Sequence, residues 1–272
     1  MDMGIGLEIP VFGASAASRA IELGASRIEL NAKGSYSEGG LTPSIEDLER
    51  VTLVDVPVRI MIRSRGPLSN VRDFVYTDDE FGWMEAAIRR FKETGLLNVE
   101  RGDGFVFGIL KESSQSSNEE DTHAKRCWVD RDRCSRLVEV ARPFKAVFHR
   151  AFDEIVSCDD DGRGVDDRHA WRMGLDDLLT CGFDSILTSG GLGNAIQNLA
   201  MLDKIITRAE NLGIEIIVGG GVRRHNAKEL SQQLKLKERV RSTFVHSACL
   251  SPSLGTEYAD AEEVAAILSQ LG

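Results

Sequence analysis

Cysteine is sparse in this chain of 272 residues, and it is never paired closely in the sequence. The five cysteines, Cys127, Cys134, Cys158, Cys181 and Cys249, form no C-x-x-C. An odd, scattered set argues against a disulfide scaffold, a zinc ribbon or a thioredoxin-like motif, and points to free thiols packed as small hydrophobes. Basic residues are also short: 33 Lys and Arg face 43 Asp and Glu, a formal charge of −10. Nucleic acid and anionic membrane surfaces are therefore disfavoured as partners. No apolar run approaches the ~20 residues of a membrane span, and the first residues lack the basic and apolar regions of a signal peptide. The expectation is a soluble, cytoplasmic protein. Missing too are the G-x-S-x-G elbow, the H-E-x-x-H zinc motif and the G-x-x-x-x-G-K-[ST] phosphate loop.

What is present is a rhythm. Eight short apolar runs read as strands: Leu7 to Ile9, Arg27 to Leu30, Val58 to Arg63, Phe105 to Leu110, Ala146 to Arg150, Ser185 to Ser189, Ile214 to Gly221, and Thr243 to Ser247. Segments with helical spacing lie between them. Ala14 to Leu23 ends at Gly24, Thr77-Asp-Asp-Glu80 opens a helix running to Gly95, and Gln197 to Leu212 stops at Gly213. Strand followed by helix, eight times, predicts a single-domain α/β protein, a (β/α)8 TIM barrel spanning residues 1–272. Two polar insertions interrupt it, near 113–126 and 157–169. The second is acidic at 159–167, without the spacing of an EF-hand loop.

In such a barrel the chemistry sits at the C-terminal strand ends, and side chains alternate between the interior and the helix layer. Parity then sends Glu8, Glu29, Arg63, Arg65 and His149 into the mouth, with Arg150 and Asp153 close by. These acids, arginines and one imidazole are either a salt-bridged network or a catalytic or binding site. Arginine forks recognise phosphate or carboxylate, and His149 could exchange a proton near neutral pH. Ser189-Gly190 ends the sixth strand and Gly219-Gly220-Gly221 the seventh. Glycines there let backbone N–H groups approach an anion, so Arg150, Ser189, Gly190, Gly219, Gly220 and Gly221 are candidate anion-binding residues. His246 ends the eighth strand, three residues before Cys249. The ligand these residues suggest is a small anionic or phosphorylated molecule.

Several ordered motifs resemble one family. Gly24-Ala-Ser-Arg-Ile-Glu-Leu30, Glu38-Gly-Gly-Leu-Thr-Pro-Ser44, Met61-Ile-Arg-Ser-Arg-Gly66, Phe148-His-Arg-Ala-Phe-Asp153 and Leu187-Thr-Ser-Gly190 are similar to the CutC-type proteins, named for copper homeostasis. The similarity runs from Leu7 to about Ala248. It implies a (β/α)8 barrel, cytosolic copper handling or binding, and a homo-oligomer. Where the family commonly carries cysteines, after the first and second strands, this chain has Pro10 and Asn31. Copper(I) prefers soft thiolate ligands. Copper would then fall to imidazoles, with His149 and His246 the candidates, and His246 lies one residue later than its usual place in the family. No other cofactor is implied.

Overall fold

A computed structural model describes residues 5–51, 54–69, 71–112, 126–159, 169–239, 244–250 and 258–272. Most of the two polar insertions, 113–125 and 160–168, lies outside the described residues. Eight parallel strands close a barrel: β1 (Gly6–Phe12), β2 (Arg27–Asn31), β3 (Val58–Met61), β4 (Gly104–Phe107), β7 (Lys145–Phe148), β8 (Ser185–Thr188), β9 (Glu215–Val218) and β10 (Phe244–His246). Around the circle each neighbours the next, with β10 beside β1 through Leu7 opposite Val245 and Glu8 opposite His246.

The expected alternation is met. Ile28, Leu30, Ile60, Phe105, Phe107, Phe148 and Ile186 face outward and join the large apolar layer under the helices. Met61, Val106, Val147, Leu187 and Ile217 form a separate cluster inside the barrel, with Phe244 against it. The helices are α1 (Ala14–Glu22), α2 (Ile45–Val51), α3 (Asp78–Glu93), α4 (Arg131–Ala141), α5 (Ala151–Val156), α6 (Ala170–Cys181), α7 (Leu199–Leu212), α8 (Ala227–Gln233) and α9 (Ala261–Leu271). On α1, Ala16, Ala17 and Ala20 are buried, and such small residues bring the helix close to the strands. Thr77 and Glu80 cap α3 reciprocally: the Thr77 side chain accepts from the Glu80 N–H, and the Glu80 carboxylate from the Thr77 N–H.

Two elements depart from the simple alternation. The run from Phe105 to Leu110 is not one strand. It breaks after Phe107, and β5 (Leu110–Glu112) folds back antiparallel on β6 (Cys127–Val129) beside the barrel. The short α5 follows β7 directly, so a helix stands at the rim before the main one, α6.

Beneath the mouth the interior carries charge. Arg27 pairs with Glu8, reaches Glu215 at 3.1 Å, and lies 3.6 Å from the centroid of the Phe244 ring. Arg59 donates to the Gly102 carbonyl, and burial with Arg27 nearby lowers its pKa to about 10. This lower layer lies away from the strand ends where charge is expected, although Arg27 shares the parity of Glu29.

Candidate functional site

The C-terminal ends of the strands open on a cavity of about 460 Å³, lined by Glu29, Arg63, His149, Arg150, Gly220 and His246 among others. Glu8 is buried and is not itself part of that lining. Its carboxylate touches His246 Nδ1 at 2.7 Å, and one ligand atom each from Glu8, Glu29 and His246 falls within 4.8 Å of the other two. Burial opposes charge on Glu8, but Arg27 and then His246 outweigh it and hold its pKa down to about 2. For Glu29 burial is the largest influence and raises its pKa; His246 offsets this only in part, and the Glu8 charge adds to the rise. Burial would also keep His246 neutral; its hydrogen bond to Glu8 and the nearby Glu29 reverse that and raise its pKa. The cluster is thus an ionised carboxylate beside two groups that both hold protons more tightly than usual. That arrangement suits proton transfer, or a divalent cation taken up as the protons leave.

His149 sits on the opposite wall. Its Nδ1 accepts from the Ala151 N–H at 3.2 Å, which leaves the proton on Nε2. That Nε2 is buried and has no partner among the described residues. Burial, with Arg63 nearby, depresses the pKa to about 3. The expected titration near neutral pH is therefore corrected: His149 is a neutral donor. Phe74 packs against it, tilted by 50° with 4.6 Å between centroids, and in turn carries the Arg63 guanidinium at 5.0 Å. Arg63 is fixed by the Glu38 and Gly40 carbonyls and by Asp73 at 2.8 Å.

A third wall is backbone. Gly220 and Gly221 take φ of 96° and 72°, and a Cβ on either would meet Ser189 or Asn194 at 2.6 Å. Only glycine fits both demands. Among the described residues, neither N–H donates to a protein acceptor. The Arg150 guanidinium carbon lies 3.5 Å from where a Gly220 Cβ would stand. Arg223, Ser247 and Ala248, from the loops after β9 and β10, complete this side. Barrels of this kind frequently hold phosphate at those two loops.

Several expected residues stand elsewhere. Arg65 turns outward to Glu80 at 2.5 Å and to the Val75 carbonyl, because β3 has ended and no sheet enforces alternation at that point. Asp153 is buried behind the wall, accepting from Thr188, from Ser189 twice and from Arg150. It positions Arg150 rather than lining the cavity. Ser189 is consumed in the same network, and Gly190 turns the chain against Leu202 and Asn198. Gly219 belongs to the sheet, donating to the Thr188 carbonyl at 3.0 Å. Cys249 is fully buried with its pKa raised to about 11, mainly by burial, which rules it out as a ready nucleophile. Arg223 and Arg27 were missed; the place of Arg223 just past the glycines of the seventh strand, and the parity Arg27 shares with Glu29, were the available signals.

The CutC family model matches residues 5–245. The chain belongs to the CutC family. The copper homeostasis protein cutC homolog of Homo sapiens is 35% identical over 225 residues, covering 82% of this chain and 68% of that protein. Among solved structures, the putative copper homeostasis protein CutC from Streptococcus agalactiae matches with a TM-score of 0.66 at 27% identity, over 90% of this chain and 98% of the other. Phosphoribosylanthranilate isomerase from Thermotoga maritima, at 12% identity and a TM-score of 0.53 over 98% of both chains, shares the fold. Within the CutC frame, Pro10 lines the cavity, while Asn31 is buried beside it and donates to the Glu29 carboxylate at 3.2 Å. Among the described residues no helix is long and apolar enough to cross a membrane.

Proposed function

We propose that the barrel mouth binds a small anionic molecule, a phosphate or carboxylate held by Arg150, Arg223 and the N–H groups of Gly220 and Gly221. Glu29 and His246 then face the other end of that molecule as proton donor and acceptor, and Arg63 and His149 supply fixed donors between them. The observation that carries this reading is that, among the described residues, His149 Nε2 has no partner and shares a cavity with two glycine N–H groups that also have none. An unsatisfied buried donor costs about 1–3 kcal/mol, and an anionic ligand would remove that penalty. Isothermal titration with inorganic phosphate and with small phosphorylated acids tests it. Saturable binding is expected, and Arg150→Ala or Arg223→Ala should weaken it ~10-fold or more, since hydrogen bonds to charged groups are worth about 1.5–3 kcal/mol. No saturation at millimolar ligand, or variants that bind like the parent, would end the proposal.

A second reading is favoured by the Glu8–Glu29–His246 cluster and by family membership: copper as cargo at that cluster. Two carboxylates and an imidazole suit copper(II) rather than copper(I). His149 does not fit as a ligand, because its Nδ1 is occupied and its Nε2 carries the proton. Electron paramagnetic resonance during copper(II) titration should show one bound ion, abolished by His246→Ala; an unchanged signal in that variant would exclude the cluster. The family resemblance also carries a cytoplasmic, homo-oligomeric reading. Light scattering on the eluting protein checks the second half, and a monomer at working concentration would overturn it.

A further inference from the structure

Cys127 opens β6, and Cys158 lies in the 3-10 turn (Ser157–Asp159) that follows α5. The two are 31 residues apart in sequence, yet their sulfurs stand 3.5 Å apart, in van der Waals contact. The Cys127 N–H also donates to Cys158 Sγ at 3.3 Å, so the backbone of β6 holds that sulfur in place. From its other side Cys158 Sγ reaches the Glu154 carbonyl at 3.3 Å, one helical turn back. Exposure separates the partners. Cys127 is 3% exposed, whereas Cys158 is half-buried, so a reagent from solvent meets Cys158 first. Arg72, paired with Glu154 at 2.7 Å and with Glu112 at 3.5 Å, brings a cation whose charge acts on both cysteines. The remaining thiols have other arrangements: Cys134 and Cys181 donate to the Ile109 and Arg131 carbonyls, and Cys249 is fully buried.

We propose that Cys158 is an oxidation site for a small peroxide, and that Cys127 captures the oxidised sulfur as a disulfide. The contact geometry assigns the roles, with the more exposed sulfur attacking and the buried one resolving. From 3.5 Å the sulfurs need to close by about 1.5 Å to reach the ~2.05 Å of a disulfide, a movement that side-chain rotation at a three-residue turn supplies. The electrostatics agree. Hydrogen bonding from Cys127 is the largest influence on Cys158; burial opposes it, Arg72 adds to it, and the Cys158 pKa falls to about 6. The nucleophilic thiolate therefore sits on the sulfur that peroxide meets. In the first step Cys158 Sγ attacks one peroxide oxygen: an S–O bond forms, the O–O bond breaks, and hydroxide leaves and takes up a solvent proton. In the second, Cys127 Sγ attacks the sulfenic sulfur: the S–S bond forms, the S–O bond breaks, and the departing hydroxide takes the Cys127 proton. Counted from two thiols and hydrogen peroxide, the products are one disulfide and two waters, and two electrons pass from sulfur to oxygen. The bond ties the β5–β6 hairpin to the end of α5, and its formation is independent of whatever the barrel mouth binds.

The test uses the full chain, fully reduced and stripped of metal ions, and exposed to hydrogen peroxide. Thiols are then counted under denaturing conditions, and the linked peptides are mapped by mass spectrometry. The parent should lose two of its five thiols, yield a Cys127–Cys158 peptide, and recover both thiols on reduction. Cys158→Ala should abolish that loss. Cys127→Ala should stop at a sulfenic acid on Cys158, trapped by a 1,3-diketone, while Cys181→Ala should lose the same two thiols as the parent. Cys158 should be modified ~10-fold faster than the three remaining thiols, because thiolate fraction and exposure both favour it. Peptide mapping on the parent needs no variant, which covers the case in which Cys127→Ala fails to fold. Five intact thiols after peroxide treatment would overturn the proposal. A bridge that excludes either cysteine would do so too, as would a parent protein that accumulates the Cys158 sulfenic acid without closing the disulfide.

Discussion

Glu8 and Glu29 are two residues of one type, a few ångströms apart, that burial treats alike and partners treat differently. Glu8 meets Arg27 and His246 and keeps its charge; Glu29 meets the amide of Asn31 and holds its proton more tightly. The difference has a direct consequence for Glu8→Gln. Arg27 would retain only Glu215, and a buried guanidinium would lose its better counter-charge. Breaking a buried pair from one side costs about 3–5 kcal/mol. In a chain of this size that corresponds to a fall of roughly 10 °C in melting temperature, at about 2–4 °C per kcal/mol. Glu29→Gln, which removes no paired charge, should change stability far less. Differential scanning calorimetry of the two variants decides the matter, and equal melting temperatures would show that the Arg27 pair carries no such weight.

At the level of elements, α3 offers a clean measurement. Its first turn is closed by the Thr77–Glu80 box, and Glu80 also holds Arg65 at 2.5 Å. Thr77→Ala should cost ~1 kcal/mol by urea denaturation, the usual value for a lost N-cap. A change within error would mean that packing of Met84, Ile88 and Phe91 alone sets the start of the helix. The box was legible in sequence because its residues are three apart, and so was strand parity, because Leu7-Glu8-Ile9 and Arg27-Ile28-Glu29-Leu30 alternate. The β5–β6 hairpin was not legible. Phe105 to Leu110 is a nearly continuous apolar run, and the partner strand that claims Leu110 begins only at Cys127. Helix α5 was hidden by being six residues long and joined directly to a strand. Arg65 was misplaced because alternation was carried past the residue where the sheet ends.

The stability of the whole molecule inherits the titration of its buried mouth. His149 is neutral when folded, with a pKa of about 3 against an ordinary value near 6.5. Its folded value is depressed, so the unfolded chain takes up a proton first as pH falls. The contribution is fully present above about pH 6.5 and is lost progressively between there and pH 3. Glu8 acts in the same direction at lower pH, from the ordinary carboxylate range down to about 2. His246 works oppositely: its folded pKa is raised, so its contribution is present below the ordinary histidine value and fades as pH rises through the folded one. Mild acid should therefore weaken the protein chiefly through His149, by up to ~1.4 kcal/mol for each pH unit well below 6.5. His149→Gln keeps a polar side chain but cannot take up that proton. Its stability at neutral pH will be lower, so the comparison lies in slope rather than level. Urea midpoints measured between pH 7 and pH 4.5 should decline more steeply for the parent than for the variant. Parallel lines would mean that His149 already exchanges its proton in the folded barrel, and its role as a fixed neutral donor to an anion would fall with that result.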